Sequence, residues 1–88
     1  MDTNFEHYKV FYYVAKYGNL TKAAAVLKTS QPAVTRTIHN LENILGCRLF
    51  IRSKSGMKLT PEGNIFYEYI AAGCAQFFKG ENNLSNLI

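Results

Sequence analysis

Gln31, Thr35 and His39 recur at intervals of four in the stretch SQPAVTRTIHNLE, with Arg36 beside them. On a helix that spacing places the three along one face. Their side chains donate and accept hydrogen bonds, and the Glu/Lys lattice of a merely solvated face is missing. The set suits recognition of polar edges. Gln matches the N6/N7 pair of adenine, and Thr bonds to a base or touches a thymine methyl. Arg36 reaches a base or a phosphate equally well, and His39 lies further along the same face. Pro32 and Ala33 offer apolar contact to a thymine methyl beside the polar readers. Plainer roles exist for two of them: Gln31 can support the first helical turn and Pro32 can start it.

Further candidates flank this face. Thr21 and Ser30 can donate hydroxyl hydrogen bonds to phosphates, but both also suit capping and turn formation, and for Ser30 capping is the stronger use. Lys54, between Ser53 and Ser55, is placed at a hairpin tip to touch the backbone or minor groove of a duplex, with ordinary loop solvation as the alternative. Arg52 follows Leu-Phe-Ile and serves either a phosphate or an ion pair with Glu42.

Catalytic chemistry has less to work with. His7 and His39 lie on different helices without nearby acids, and no serine sits at an activated elbow. Cys47 and Cys74 are 27 residues apart, with neither a CxxC pair nor histidines at zinc-finger spacing. A glycine-rich phosphate loop after a strand is also missing. The expectation is a protein that is not an enzyme and carries no metal and no cofactor.

The elements that must hold the polar face follow from periodicity and punctuation. Phe5, Tyr8, Phe11, Val14 and Ala15 share one face of a helix from about Asn4 to Tyr17, which Gly18 ends. Asn19 caps a short helix, Leu20 to about Lys28, whose inner face is Ala23, Ala24 and Leu27. After the turn Lys28-Thr29-Ser30, Val34, Ile38, Leu41 and Leu45 form the apolar stripe of a third helix, with Pro32 in its first turn and Gly46 at its end. Two helices joined by about three residues make a helix-turn-helix, whose second member commonly enters a DNA major groove. RLFIRSKSGMKLT then reads as a hairpin turning at Ser53-Lys54-Ser55-Gly56. Thr60-Pro61-Glu62 opens a fourth helix, expected to reach about Lys79, roughly 28 Å on, before Gly80 and the Asn-rich GENNLSN interrupt it.

The predicted fold is mainly α: a winged helix-turn-helix of three helices and a short β-hairpin over residues 1–60, followed by a long linker helix and tail over 61–88. At 88 residues this is one small domain whose core gains from a partner. Eight lysines and arginines lie between Lys16 and Lys58 against the single acid Glu42, while both ends are acidic. A basic middle is an electrostatic footprint for a polyanion. No apolar run approaches a membrane span, and the N-terminus lacks the order of a secretion signal, so the expected compartment is the cytoplasm.

AAAVLKTSQPAVTRTIHNLENILGCRLFIRSKSGMKLTPEG also resembles the amino-terminal DNA-binding domain of LysR-type transcriptional regulators. The shared pattern is paired alanines, Leu, Ser-Gln-Pro-Ala-Val, Ile, Leu-Glu, Leu-Gly, Leu-Phe-x-Arg and Leu-Thr-x-x-Gly, with Phe11, Val14, Ala15 and Gly18 at matching spacings upstream. The resemblance runs without a gap over about residues 5 to 80. Asn19 stands where the family often has Ser, Thr35 where it usually has Ser, and His39 where a basic or polar residue is common. It implies a bacterial or archaeal regulator that binds promoter DNA as a dimer paired through the fourth helix. A larger effector-binding domain is expected outside this chain, and with it any small-molecule effector.

The resulting expectation is sequence-specific binding of double-stranded DNA, with the helix of residues 30–45 in the major groove and the wing of residues 52–58 on backbone or minor groove. A winged helix used only for protein–protein contact is the alternative, since folds do not fix functions. A homodimer is expected through residues 61–79, with assembly of the full-length protein to a tetramer left open. Ile65 and Tyr69 fall on one side of that helix, and Phe66, Ile70, Gly73 and Phe77 on the adjacent one. One domain core cannot readily cover so wide an apolar face.

Overall fold

The structure is a computed structural model that describes residues 2–88. Helix α1 spans Phe5–Tyr17, α2 Leu20–Leu27 and α3 Gln31–Leu45. The antiparallel strands β1 (Phe50–Ser53) and β2 (Gly56–Leu59) follow, then α4, Pro61–Leu87. The expected winged helix-turn-helix with a trailing helix is the observed fold.

Side chains next to each helix define where it starts. Asn4 and His7 form a reciprocal box at α1: the His7 N–H donates to Asn4 Oδ1 at 3.1 Å, and the Asn4 N–H donates to His7 Nδ1 at 3.2 Å. Asn19, Ser30 and Thr60 accept from the third backbone N–H of α2, α3 and α4. Helix α2 ends on Lys28, a non-glycine residue in the left-handed conformation at φ 57°.

Phe11 sits at the centre of the core, fully buried, with ring centroids 5.3 Å from Phe50 and 5.1 Å from Phe66. Hairpin and α4 are thereby fastened to the same side chain of α1. Val10, Val14, Leu20, Ala23, Ala24, Val34, Ile38, Leu41 and Leu49 complete the buried cluster. The alanines let α2 approach α1 and α3 closely.

Polar contacts then set the wing against this core. Met57 N–H donates to Gly18 O at 3.0 Å, joining β2 to the turn between α1 and α2. Gly56 makes that approach possible, since a Cβ there would lie 2.2 Å from Gly18 O and its φ is +122°. At the root of α4, the Thr60 hydroxyl donates to Arg48 O at 2.6 Å and the Gly63 N–H donates to Thr60 Oγ1 at 3.0 Å.

The fourth helix corrects one expectation. It does not stop near Lys79 but continues through Gly80 and the Asn-rich stretch to Leu87, about 40 Å in all. A glycine inside a helix costs about 1 kcal/mol relative to alanine, which weakens a helix without breaking it. Glu81, Leu84 and their neighbours stay compatible with helical geometry. Among the described residues no helix is long and apolar enough to cross a membrane.

Candidate nucleic-acid interface

Ser30 caps α3 and Pro32 lies in its first turn, and residues 30–32 at this end are exposed. Its apolar stripe, Val34, Ile38 and Leu41, is buried. The opposite face therefore has to point outward. Gln31, Pro32, Thr35, Arg36 and His39 line an open groove of about 650 Å³ together with Asn40 and, from β1, Arg52. Gln31 and Arg52 also border the adjoining hollow formed with Asn19, Ser53 and Lys54. One continuous surface thus runs from α3 to the tip of the wing, where Lys54 and Ser55 form the two-residue turn.

Thr21 joins this surface through a hydrogen bond from Gln31 Nε2 to its hydroxyl oxygen, 2.8 Å long. Two candidates lie differently. Ser30 Oγ accepts the Ala33 N–H at 3.2 Å, so the hydroxyl acts as the helix cap. Ala33 is half-buried and does not line the groove. Asn40 is the residue that inspection of the sequence missed. It stands four residues after Arg36, and that interval was the available signal.

Arg52 and Glu42 do not pair. The Glu42 carboxylate is buried and turned to the chain entering the wing: Oε2 accepts the N–H of Leu49 at 2.6 Å and of Phe50 at 3.3 Å. Its cationic neighbour is Arg48, with Nε 3.6 Å away and the side chain largely exposed. Burying a carboxylate is unfavourable unless it is hydrogen-bonded, and two backbone donors meet that need without Arg52. Arg52 is exposed and, among the described residues, has no carboxylate within ion-pair distance. Arg36 and Lys54 are likewise exposed without an acidic partner among those residues. Positive charge unneutralised by neighbours raises the potential of the whole surface.

On the other side of the domain, the candidate pairing residues of α4 divide. Phe66 and Ile70 pack against the core of their own chain. Ile65, Tyr69 and Phe77 are 63%, 74% and 53% exposed. Phe77 meets Phe5 edge to face at 5.3 Å, and Gly73 lines a small apolar hollow with Tyr69 and Phe77. Beyond them, Leu84 and Leu87 are also exposed, extending the apolar face along the part of the helix not foreseen from sequence.

Residues 5–64 match the family model described as bacterial regulatory helix-turn-helix protein, lysR family. The chain is 48% identical over 61 residues to the HTH-type transcriptional regulator YofA of Bacillus subtilis, covering 69% of this chain and 21% of that protein. It is 39% identical over 79 residues to YtlI of the same organism, covering 90% and 25%. The chain therefore spans about a fifth to a quarter of the length of these relatives. Among solved structures, the DNA-binding domain of BenM in complex with catB site 1 DNA superposes with a TM-score of 0.84 at 32% identity, over 97% of this chain and 96% of that one. BenM is an HTH-type transcriptional regulator of Acinetobacter baylyi. With the family pattern matched over most of the winged helix-turn-helix and the whole fold shared at this identity, the chain belongs to the LysR family of bacterial regulatory helix-turn-helix proteins.

Proposed function

We propose that this chain binds double-stranded DNA sequence-specifically as the DNA-reading domain of a transcription regulator, with the N-terminal half of α3 in the major groove and the wing on the adjoining backbone or minor groove. The observation that carries this reading is the groove that gathers Gln31, Thr35, Arg36, His39 and Arg52 on one exposed, positively charged surface. Gln31 and Thr35 are the base readers, Arg36 and His39 extend the same face, and Arg52 and Lys54 supply cationic contacts from the wing. The BenM complex adds that a domain of this shape is accommodated on a duplex. No catalytic step, metal or cofactor is part of the proposal, and any small-molecule effector belongs to sequence outside these 88 residues. Such a domain works in the cytoplasm, where promoter DNA is found.

Pairing of two copies through α4 completes the reading. Ile65, Tyr69 and Phe77 leave an apolar face that the domain's own core does not cover, and a two-fold partner would bury it while setting two α3 helices toward one duplex.

Selection of duplexes from a randomised pool tests the DNA reading. The chain should enrich a defined sequence, and failure to enrich any sequence overturns the proposal. Light scattering tests pairing: the wild type should have the mass of two chains at high micromolar concentration, and Tyr69→Glu with Phe77→Glu the mass of one. A double variant that still dimerises while folded removes the α4 interface.

A further inference from the structure

The hydrogen bond between Gln31 Nε2 and Thr21 Oγ1 is, among the described residues, the one side-chain hydrogen bond joining α2 to α3. Both residues are exposed. Water could satisfy either group, so the contact does not rescue a buried polar atom and its stabilising worth is small. Its effect lies in orientation. A free glutamine side chain carries substantial rotamer entropy, and its amide can turn either its oxygen or its nitrogen toward a neighbour.

We infer that Thr21 is a positioning residue for base reading: its hydroxyl oxygen holds the Gln31 amide nitrogen, so that the Gln31 carbonyl oxygen is presented to a base edge carrying an amino donor. The inference rests on the DNA reading above. With one N–H held by Thr21, the amide has its oxygen and its second N–H left for the duplex. Adenine, with N6 as donor and N7 as acceptor, matches that pair, and cytosine N4 matches the oxygen alone. Rotating the amide by half a turn would offer nitrogen where oxygen stood, which suits guanine O6 or thymine O4 instead. The rotated amide could keep Thr21 only by accepting its O–H, so a Thr21 O–H already given to a phosphate oxygen excludes that rotation. A hydroxyl accepts and donates at once, so the Thr21 O–H stays available for a phosphate oxygen while its lone pair holds Gln31. Donation to a charged oxygen polarises the hydroxyl and strengthens such a chain. Thr21 thereby links backbone engagement to the orientation of the reader.

The test compares Thr21→Val, which keeps the shape and removes the hydroxyl, with Thr21→Ser, Gln31→Ala and the Thr21→Val/Gln31→Ala double variant. A randomised duplex pool first yields the sequence preferred by the wild-type chain. The position at which Gln31→Ala loses preference is then replaced by each of the other base pairs, and affinities are measured at fixed salt, with circular dichroism verifying the fold. Thr21→Val should reduce discrimination at that position by about three- to tenfold, the range expected of coupled neighbours. Thr21→Ser should stay within about twofold of the wild type, since the hydroxyl remains. In the Gln31→Ala background Thr21→Val should change discrimination there no further. A neutral hydroxyl releases no counterion, so the salt slope should be the same in all four. The inference is overturned if Thr21→Val weakens every duplex equally, has no effect, or acts independently of Gln31. It is overturned as well if Gln31→Ala relaxes no position. A wild-type chain that enriches no sequence defeats the DNA reading itself, whereas enrichment with an inert Thr21→Val defeats only the positioning role.

Discussion

The two ends of α3 use polar side chains in opposite ways. At its C-terminal end Glu42 is buried and its Oε2 accepts two backbone N–H groups at the entry to the wing. At its N-terminal end Gln31 and Arg36 are exposed, and the hydrogen bond that Gln31 makes goes to another exposed residue, Thr21. A polar group that is buried and satisfied shapes the fold, because removing it strands its partners. One that stands in water with spare hydrogen-bonding capacity costs the fold nothing when removed and is available to another molecule. A single helix of 15 residues therefore scaffolds with one end and presents a recognition surface with the other.

The contrast breaks most visibly at Glu42. Glu42→Ala should lower unfolding stability by about 3 kcal/mol, since two N–H groups lose a charged acceptor in a buried place. Denaturant melts followed by circular dichroism measure it. A loss below about 0.5 kcal/mol, the range of an ordinary surface substitution, would show that the C-terminal end is no scaffold. Gln31→Ala should do the reverse: stability unchanged within about 0.5 kcal/mol, but about 1 to 3 kcal/mol lost on the preferred duplex, with relaxed base preference at one position. Fluorescence anisotropy on the selected duplex and its single-base variants reads both. Lys54→Ala should act more evenly, reducing the magnitude of the log–log salt slope by about 0.9 if one phosphate contact is lost. A titration at several salt concentrations decides it.

The smallest effect concerns the thiols. Burial pushes the Cys74 thiol up from its ordinary value, and Cys74 is also shielded where Cys47 is only half-buried. Thiolate is the reactive form, so iodoacetamide near neutral pH should modify Cys47 before Cys74. Raising pH toward the Cys74 value should speed its reaction while the fold persists. Mass spectrometry of partly alkylated protein gives the order. Gln31→Ala should preserve it, and Glu42→Ala should narrow it by loosening the core.

Most of this arrangement was legible in the sequence because it is local. Periodic apolar residues mark α1, the caps Asn19, Ser30 and Thr60 with their glycines or prolines mark the starts of α2, α3 and α4, and the interval of four from Gln31 marks the exposed face. What was not legible depends on approach between distant segments. Glu42 and Arg52 are the obvious opposite charges on paper, yet Glu42 faces the backbone at 49 and 50, with Arg48 as its cationic neighbour. No pattern in one chain announces which way a carboxylate turns. The same holds for Phe66 and Ile70, whose share of an apolar helix goes to their own core through Phe11 and its neighbours, leaving Ile65, Tyr69 and Phe77 outside. Gly80 misled for a different reason. Its conformational cost is real but small, and the local rule treats as a stop what a long helix tolerates.

The clasp between Met57 and Gly18 bears on kinetics. Because β2 donates to the turn ahead of α2, and a Cβ at Gly56 would leave no room for that contact, wing and helix-turn-helix are set relative to each other before any duplex arrives. Partners that meet in their bound shapes need little rearrangement, so encounter is limited by diffusion and by the attraction of the basic surface for phosphate. Salt and Lys54 should then act chiefly on the rate of association. Gln31, as the proposed base reader, should act on how long the complex lasts.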